Sequence, residues 1–229
     1  MRIGGFQRLT LVDFPGLVAA TVFTQGCNFR CGYCHNPELV LLPSFQSPVP
    51  PELIFDYLNG RKGKLEGVVL TGGEPTLQKG LADFIRRVKE MGFSVKLDTN
   101  GSHPEVLASL FELNLLDYVA MDIKTSLRKY DQIASMVCDV TKIQGSIYLI
   151  KNSGIPYQFR TTLIKEFCSN EDLDEIKDLI GEVKHYVLQP VVISQKMIDS
   201  HLDHQNQYTS VEVESLKFKY DVRGLFKES

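Results

Sequence analysis

The chain has 229 residues, 43% hydrophobic and 23% charged, with a formal net charge of -3 from 25 Lys and Arg against 28 Asp and Glu. That balance carries no basic footprint for nucleic acid or for an acidic lipid surface, and the length suits one large domain or two small ones. Apolar runs such as Leu39–Leu42 and Val68–Leu70 fall far short of the ~20 residues a membrane span needs.

The amino terminus, MRIGGFQRLTLVDFPG, has no uninterrupted apolar stretch and no small-residue cleavage site, so the expectation is a cytoplasmic protein without a signal peptide. Leu17–Thr24 (LVAATVFT) is rich in β-formers and runs into QGCNFRCGYCHNP. There Cys27, Cys31 and Cys34 stand at C-x3-C-x2-C spacing with Tyr33 before the last of them. Five cysteines in all, an odd number with three crowded together, do not read as a disulfide framework. A reducing compartment keeps such thiols available to metal. Structural zinc and ordinary electron-transfer clusters take four protein ligands. Three thiolates therefore suggest a centre with one coordination position open.

Two closed alternatives remain. His35 would complete a Cys3His zinc set, although it is adjacent to Cys34, which strains a shared tetrahedral ion. Cys138 or Cys168 would supply a fourth thiolate, although each sits alone in an apolar or helical context.

Further along, helical spacing marks Pro51–Leu58, Leu81–Met91, His103–Leu113, Thr141–Asn152 and Asn170–Ile180, the third with proline at the first position and the last with an Asn cap. Strands are expected at Gly67–Thr71, Phe93–Asp98, Leu116–Met121, Pro156–Leu163 and His185–Gln189. Strand and helix thus alternate about six times. Alternation of this kind implies a parallel sheet with helical crossovers, either doubly wound or a complete or partial barrel. In both, the site lies at the carboxyl ends of the strands, and the polar motifs follow strands directly: the cysteine loop, Thr71-Gly72-Gly73-Glu74-Pro75, Asp98-Thr99-Asn100-Gly101, Asp122-Ile123-Lys124, Arg160 and Gln189.

The run GCNFRCGYCHNPEL, preceded by LVDFPG and followed some forty residues on by GGEP, resembles the radical S-adenosylmethionine enzymes. Among them it is most similar to the activating enzymes of glycyl radical enzymes, such as those of pyruvate formate-lyase and, above all, anaerobic ribonucleoside-triphosphate reductase. The resemblance spans Leu11 to about Pro190. It implies a single-domain α/β fold over 1–229, a partial (β/α)6 barrel with a core over about 11–190 and a tail over 191–229.

By the same resemblance, Cys27, Cys31 and Cys34 hold one 4Fe-4S cluster, whose fourth iron takes the amino and carboxylate groups of S-adenosylmethionine. Reductive cleavage then yields a 5'-deoxyadenosyl radical. Tyr33 packs near the adenine, Gly72, Gly73 and Glu74 meet the amino group, and Lys124 pairs with the carboxylate. Asp98, Thr99 and Asp122 are candidate ligands of a monovalent cation, since hard oxygens suit it. Arg160 faces the mouth toward the cofactor carboxylate or the partner's backbone, and Gln189 is a further cofactor contact. The implied partners are a glycyl radical enzyme as protein substrate and a flavodoxin- or ferredoxin-type reductant. Residues 35–66 contain no cysteine, which prunes the activases with an inserted ferredoxin-like domain and leaves one cluster. Two other functions stand beside this one: a small-molecule radical enzyme of the deazapurine or pterin type, and a non-catalytic metal or electron-transfer module. His201 and His204 carry no ligand pattern.

Overall fold

A computed structural model describes residues 1–217 and 219–223 of the chain. Its frame is one sheet in the order β1-β2-β3-β4-β5-β6-β7-β8. The strands are β1 (Ile3–Thr10), β2 (Ala19–Thr24), β3 (Gly67–Gly72), β4 (Ser94–Thr99), β5 (Tyr118–Asp122), β6 (Tyr157–Leu163), β7 (Tyr186–Pro190) and β8 (Asp221–Val222). Every neighbouring pair from β2 onward is parallel, and β1 alone runs antiparallel, against β2. The first and last strands do not pair with each other among the described residues, so the partial barrel is open on one side.

The expected alternation is therefore present, with additions at both ends. β1 was not among the expected strands, because IGGFQRLT carries two glycines and a polar stretch. It is made a strand by pairing with β2, whose own residues are strongly β-forming.

The helices are α1 (Pro37–Val40), α2 (Pro51–Asn59), α3 (Leu81–Glu90), α4 (Pro104–Glu112), α5 (Tyr130–Ala134), α6 (Val140–Asn152), α7 (Asn170–Ile180) and α8 (Ser210–Lys217). α3 shows why they form. Leu81, Phe84, Ile85 and Val88 make one buried stripe, and Gly92 at φ +93° supplies the left-handed residue that ends the helix. For α7 the cap differs from expectation. Ser169, not Asn170, is the N-cap, in a reciprocal capping box with Asp172.

Two cores result from strand alternation. Outward-facing residues such as Ala20, Val68, Val95 and Val119 join the helices in the large cluster. The inward-facing Ala19 and Val69, with Phe14, Leu17 and Tyr118, fill the lower end of the barrel. Phe14 belongs to LVDFPG, and a Cβ on Gly67 would lie 2.8 Å from its ring. That stretch thus plugs the end opposite the cysteine loop. Level with Val69 and Tyr118 the interior turns polar at Lys96, and above it the strand ends open into a cavity.

Candidate functional site

The cavity has a volume of about 450 Å³ and is lined from the carboxyl ends of the strands: Cys27, Cys31 and Cys34 after β2, Gly72 to Glu74 at the end of β3, Asp98 to Asn100 at the end of β4, Asp122 and Lys124 at the end of β5, and Gln189 on β7. All of these except Asn100 were expected at the site, and Tyr33 lines the same space.

The cysteine loop is held from both sides. Gly26, at φ +100°, donates its N–H to the Leu39 carbonyl at 2.7 Å, while its own carbonyl accepts from the Glu74 N–H at 2.8 Å. Gly73 N–H donates to the Thr24 carbonyl at 2.9 Å. A Cβ at Gly73 would fall 2.1 Å from the Gly26 carbonyl oxygen, and one at Gly72 would fall 2.3 Å from the Thr24 nitrogen. Both glycines are thus required where the β3 turn crosses the start of the loop. Within the loop, the Arg30 guanidinium donates to the carbonyls of Cys27 and Phe29 at 2.6 and 2.9 Å, and the Arg30 N–H reaches the Ala134 carbonyl of α5 at 2.8 Å.

Burial pushes the Cys27 thiol up to about 12, with the nearby Glu74 carboxylate adding to the rise, and burial raises Cys31 as well. Buried thiolates need compensating positive charge, which an iron centre provides. Among the described residues no three His, Cys, Asp or Glu side chains converge on a single ion. Cys138 and Cys168 do not line the cavity. Cys168 is buried, with its thiol 3.4 Å from the Thr162 carbonyl, as a small hydrophobe with a weak donor. His201 and His204 are exposed.

Glu74 is 1% exposed. Its Oε1 accepts from the Thr76 N–H, the Thr76 hydroxyl and the Thr99 hydroxyl at 3.1, 2.6 and 2.7 Å, and its Oε2 accepts from the Asn100 N–H at 2.7 Å. Burial raises its pKa while these donors pull it down. Glu74 is therefore first a strut joining β3 to β4, with remaining acceptor capacity on Oε2 for a cation in the cavity. Asn100 stands before Gly101 in a dipeptide that commonly marks a turn. In the fold it carries a network instead: Nδ2 donates to the Asn28 Oδ1 at 2.9 Å and lies 4.0 Å from the Cys27 sulfur, and Oδ1 accepts from the Ser102 hydroxyl at 2.6 Å. No spacing rule marks these residues, because the network exists only once β4 lies beside the cysteine loop.

The oxygens of Asp98, Thr99 and Asp122, expected as cation ligands, meet protein groups. Asp98 accepts from Lys96 at 2.6 Å and Arg160 at 3.2 Å, and Asp122 from Arg160 at 2.8 Å and Lys124 at 3.1 Å. The Thr99 hydroxyl is committed to Glu74. Each carboxylate oxygen of Asp98 and Asp122 thus already has a protein cation beside it. Arg160, expected to face the mouth, also meets carboxylates of the protein. The β5–β6 register sets it directly beside Asp122, so its guanidinium is spent on two carboxylates and it does not line the cavity. Although burial by itself would raise it, Arg160 and Lys124 hold Asp122 well below the usual carboxylate range. Against burial, Asp122 in turn keeps Lys124 charged. One ammonium carries three N–H groups, so Lys124 retains donors for a carboxylate in the cavity.

The chemistry of this wall fits a cluster with an amino-acid ligand. Three thiols share the lining with the Lys124 ammonium and the Glu74 carboxyl group. The Tyr33 ring lies 5.8 Å from the Lys124 nitrogen, and its hydroxyl, with Gln25 Oε1, is one of two buried side-chain polar atoms without a partner among the described residues. The tail adds wall residues that the sequence did not assign: Val191, Val192 and Arg223.

Comparison with known proteins agrees with this arrangement. The model of the radical SAM superfamily matches residues 21–180. The "Putative glycyl-radical enzyme activating enzyme" of Methanocaldococcus jannaschii is 34% identical over 192 residues, covering 82% of this chain and 78% of the relative. The pyruvate formate-lyase 1-activating enzyme of Escherichia coli K12 is 28% identical over 203 residues, 82% of this chain and 80% of that one. In fold, Streptococcus suis SuiB bound to S-adenosylmethionine superposes with a TM-score of 0.66 at 14% identity, over 87% of this chain and 48% of that chain.

Proposed function

The chain belongs to the radical SAM superfamily, and from that membership we propose that it is an activating enzyme that generates a glycyl radical on a partner enzyme. The observation that carries the proposal is the cysteine loop facing a cavity of about 450 Å³ at the strand ends, together with relatives named as activating enzymes over four-fifths of this chain. The superfamily uses a 4Fe-4S cluster and S-adenosylmethionine. When bound, they supply a carbon radical strong enough to take hydrogen from a glycine Cα.

The residues divide the remaining work. Cys27, Cys31 and Cys34 would hold the cluster in a loop braced by Gly26, Gly73 and Arg30. Lys124 would bind the methionine carboxylate and Oε2 of Glu74 the ammonium, both as charge-assisted contacts. Tyr33 would cover the adenine. The open side of the barrel supports a protein substrate over a small one, because an extended segment can enter without any rearrangement of the sheet.

The finer proposal is that the partner is an anaerobic ribonucleoside-triphosphate reductase and that the electron comes from a flavodoxin- or ferredoxin-type donor. It rests on the stretch GCNFRCGYCHNPEL. Phe14 and its LVDFPG neighbours, which plug the opposite end of the barrel, lend that choice no direct contact. The test is to mix anaerobically reconstituted, reduced protein with S-adenosylmethionine and candidate glycyl radical enzymes. The expected result is 5'-deoxyadenosine together with a glycine-centred doublet in the electron spin resonance spectrum. Absence of cleavage, with about one zinc per chain, would overturn the reading.

A further inference from the structure

Beneath the cavity wall the barrel interior holds a ladder of buried charge: Lys96, Asp98, Arg160, Asp122 and Lys124 in contact order. Each of the four carboxylate oxygens accepts from a different cationic nitrogen, at 2.6, 3.2, 2.8 and 3.1 Å along the ladder. Three members are cations and two are anions. Asp98, Asp122 and Lys124 line the cavity, whereas Lys96 and Arg160 do not.

Lys96 is the member that folding does not ask for. It is 1% exposed, sits in β4 level with Val69 and Tyr118, and occupies an inward position that its neighbours fill with apolar or aromatic groups. A buried ammonium is costly unless paired, and an apolar residue of similar volume would commonly serve stability as well. Its charge has a clear consequence one layer up. Without it, Arg160 and Lys124 only balance Asp98 and Asp122, and an arriving carboxylate would make the site net negative. With it, the ladder carries one positive charge in excess, and that carboxylate is neutralised.

We propose that Lys96 is a built-in monovalent cation: a positioning residue that balances Asp98 from below, leaves Lys124 free for the ligand carboxylate, and makes ligand binding independent of potassium or sodium. The proposal rests on the S-adenosylmethionine reading above and deepens it.

The test compares the cluster-loaded native chain, Lys96→Met and Lys96→Arg in choline chloride, with potassium, sodium or ammonium chloride substituted at constant ionic strength. Calorimetry gives S-adenosylmethionine affinity, and thermal unfolding without that ligand gives a second readout. The native chain and Lys96→Arg should bind equally well in every salt. Lys96→Met should bind about tenfold more weakly in choline, the order expected for one lost charge-assisted interaction. It should regain both affinity and unfolding midpoint in potassium or ammonium. A native chain that itself needs potassium or sodium overturns the proposal, and this arm stands even if Lys96→Met does not fold. So does a Lys96→Met protein that matches the native chain in choline, or one that no small cation restores. If no form binds S-adenosylmethionine in any salt, the ligand reading fails, while the unfolding arm still decides whether Lys96 replaces a cation.

Discussion

At the scale of single residues, Gly73 shows how a loop motif is fixed by backbone contact. Its missing Cβ is what lets the Gly26 carbonyl accept from Glu74 N–H, because a methyl group there would stand 2.1 Å from that oxygen. Backbone on both sides cannot yield as a flexible side chain can, so the turn must shift, and the cysteine loop with it. Gly73→Ala is therefore expected to lower the iron bound per chain and to cut S-adenosylmethionine cleavage by about tenfold or more, ~1.4 kcal/mol or above in barrier terms. Iron analysis and 5'-deoxyadenosine yield check this, with Gly63→Ala as the control: φ there is +75° but nothing lies within 4 Å, so only stability should drop. The cysteines and GGEP were legible in the sequence because ligand spacing and tight turns are local properties. Lys96 and Asn100 were not. A lysine in FSVKLD looks like the solvated face of a strand until the barrel closes over it, and Asn-Gly reads as a turn whether or not its amide meets Cys27.

At the scale of elements, sequence periodicity located α2, α3, α4, α6 and α7 to within a residue or two, since a stripe such as Leu81, Phe84, Ile85 and Val88 is set by the helix itself, but it missed the short α1 and α5 and the tail helix α8. Edge strands and caps depend on partners, which is why β1 and the Ser169 cap were not foreseen. The start of α7 shows what such a partner can be worth. Asp172, with no exposed side-chain surface, accepts from the Ser169 N–H and hydroxyl, the Ser126 hydroxyl, Arg128 and Lys129. It ties α7 to the loop between β5 and α5. Although burial alone would raise it, Lys129, Ser169 and Ser126 hold its pKa at about 2. The folded chain therefore binds this proton more weakly than the unfolded one. The stabilisation from Asp172 is fully present above about pH 4, the ordinary Asp value, and is lost as the pH falls through the folded value. Asp172→Ala should cost about 3 kcal/mol at neutral pH, the scale of breaking a buried ion pair. In urea titrations its deficit against the native chain should shrink as the pH drops from 5 toward 2. A deficit that does not change with pH would assign the loss to packing instead.

At the scale of the whole molecule, the open sheet explains how one face serves chemistry while the other end is sealed. Phe14 and Tyr118 fill the bottom, the charge ladder forms a floor, and the cysteine loop and strand ends form the mouth. The sequence placed a working core at about 11–190 and left open whether the following tail covers the mouth or helps choose the partner. The tail, of which residue 218 and residues 224–229 lie outside the described residues, is built into that core. Met197 and Leu216 are buried in the main cluster, Val213 is also buried, and β8 pairs with β7. The Asp199 N–H donates to the Gly32 carbonyl at 2.9 Å, between two of the three cysteines. These contacts are long-range and irregular, without the period that betrays a helix or strand, so they were not readable from spacing. They predict that a chain ended at Pro190 will not behave as a trimmed version of the whole. Deleting Met197, Val213 and Leu216 forfeits their burial, at roughly 1.5–3 kcal/mol each, and bares the core surface they cover, a loss of about 5 kcal/mol or more, comparable to the entire stability of many domains. The truncated chain should lose its cooperative thermal transition and fail to retain iron after anaerobic reconstitution. If it instead melts cooperatively near the full chain's midpoint and holds a full complement of iron, the segment from Val191 onward is an appendage, and its hold on Gly32 does not support the cysteine loop.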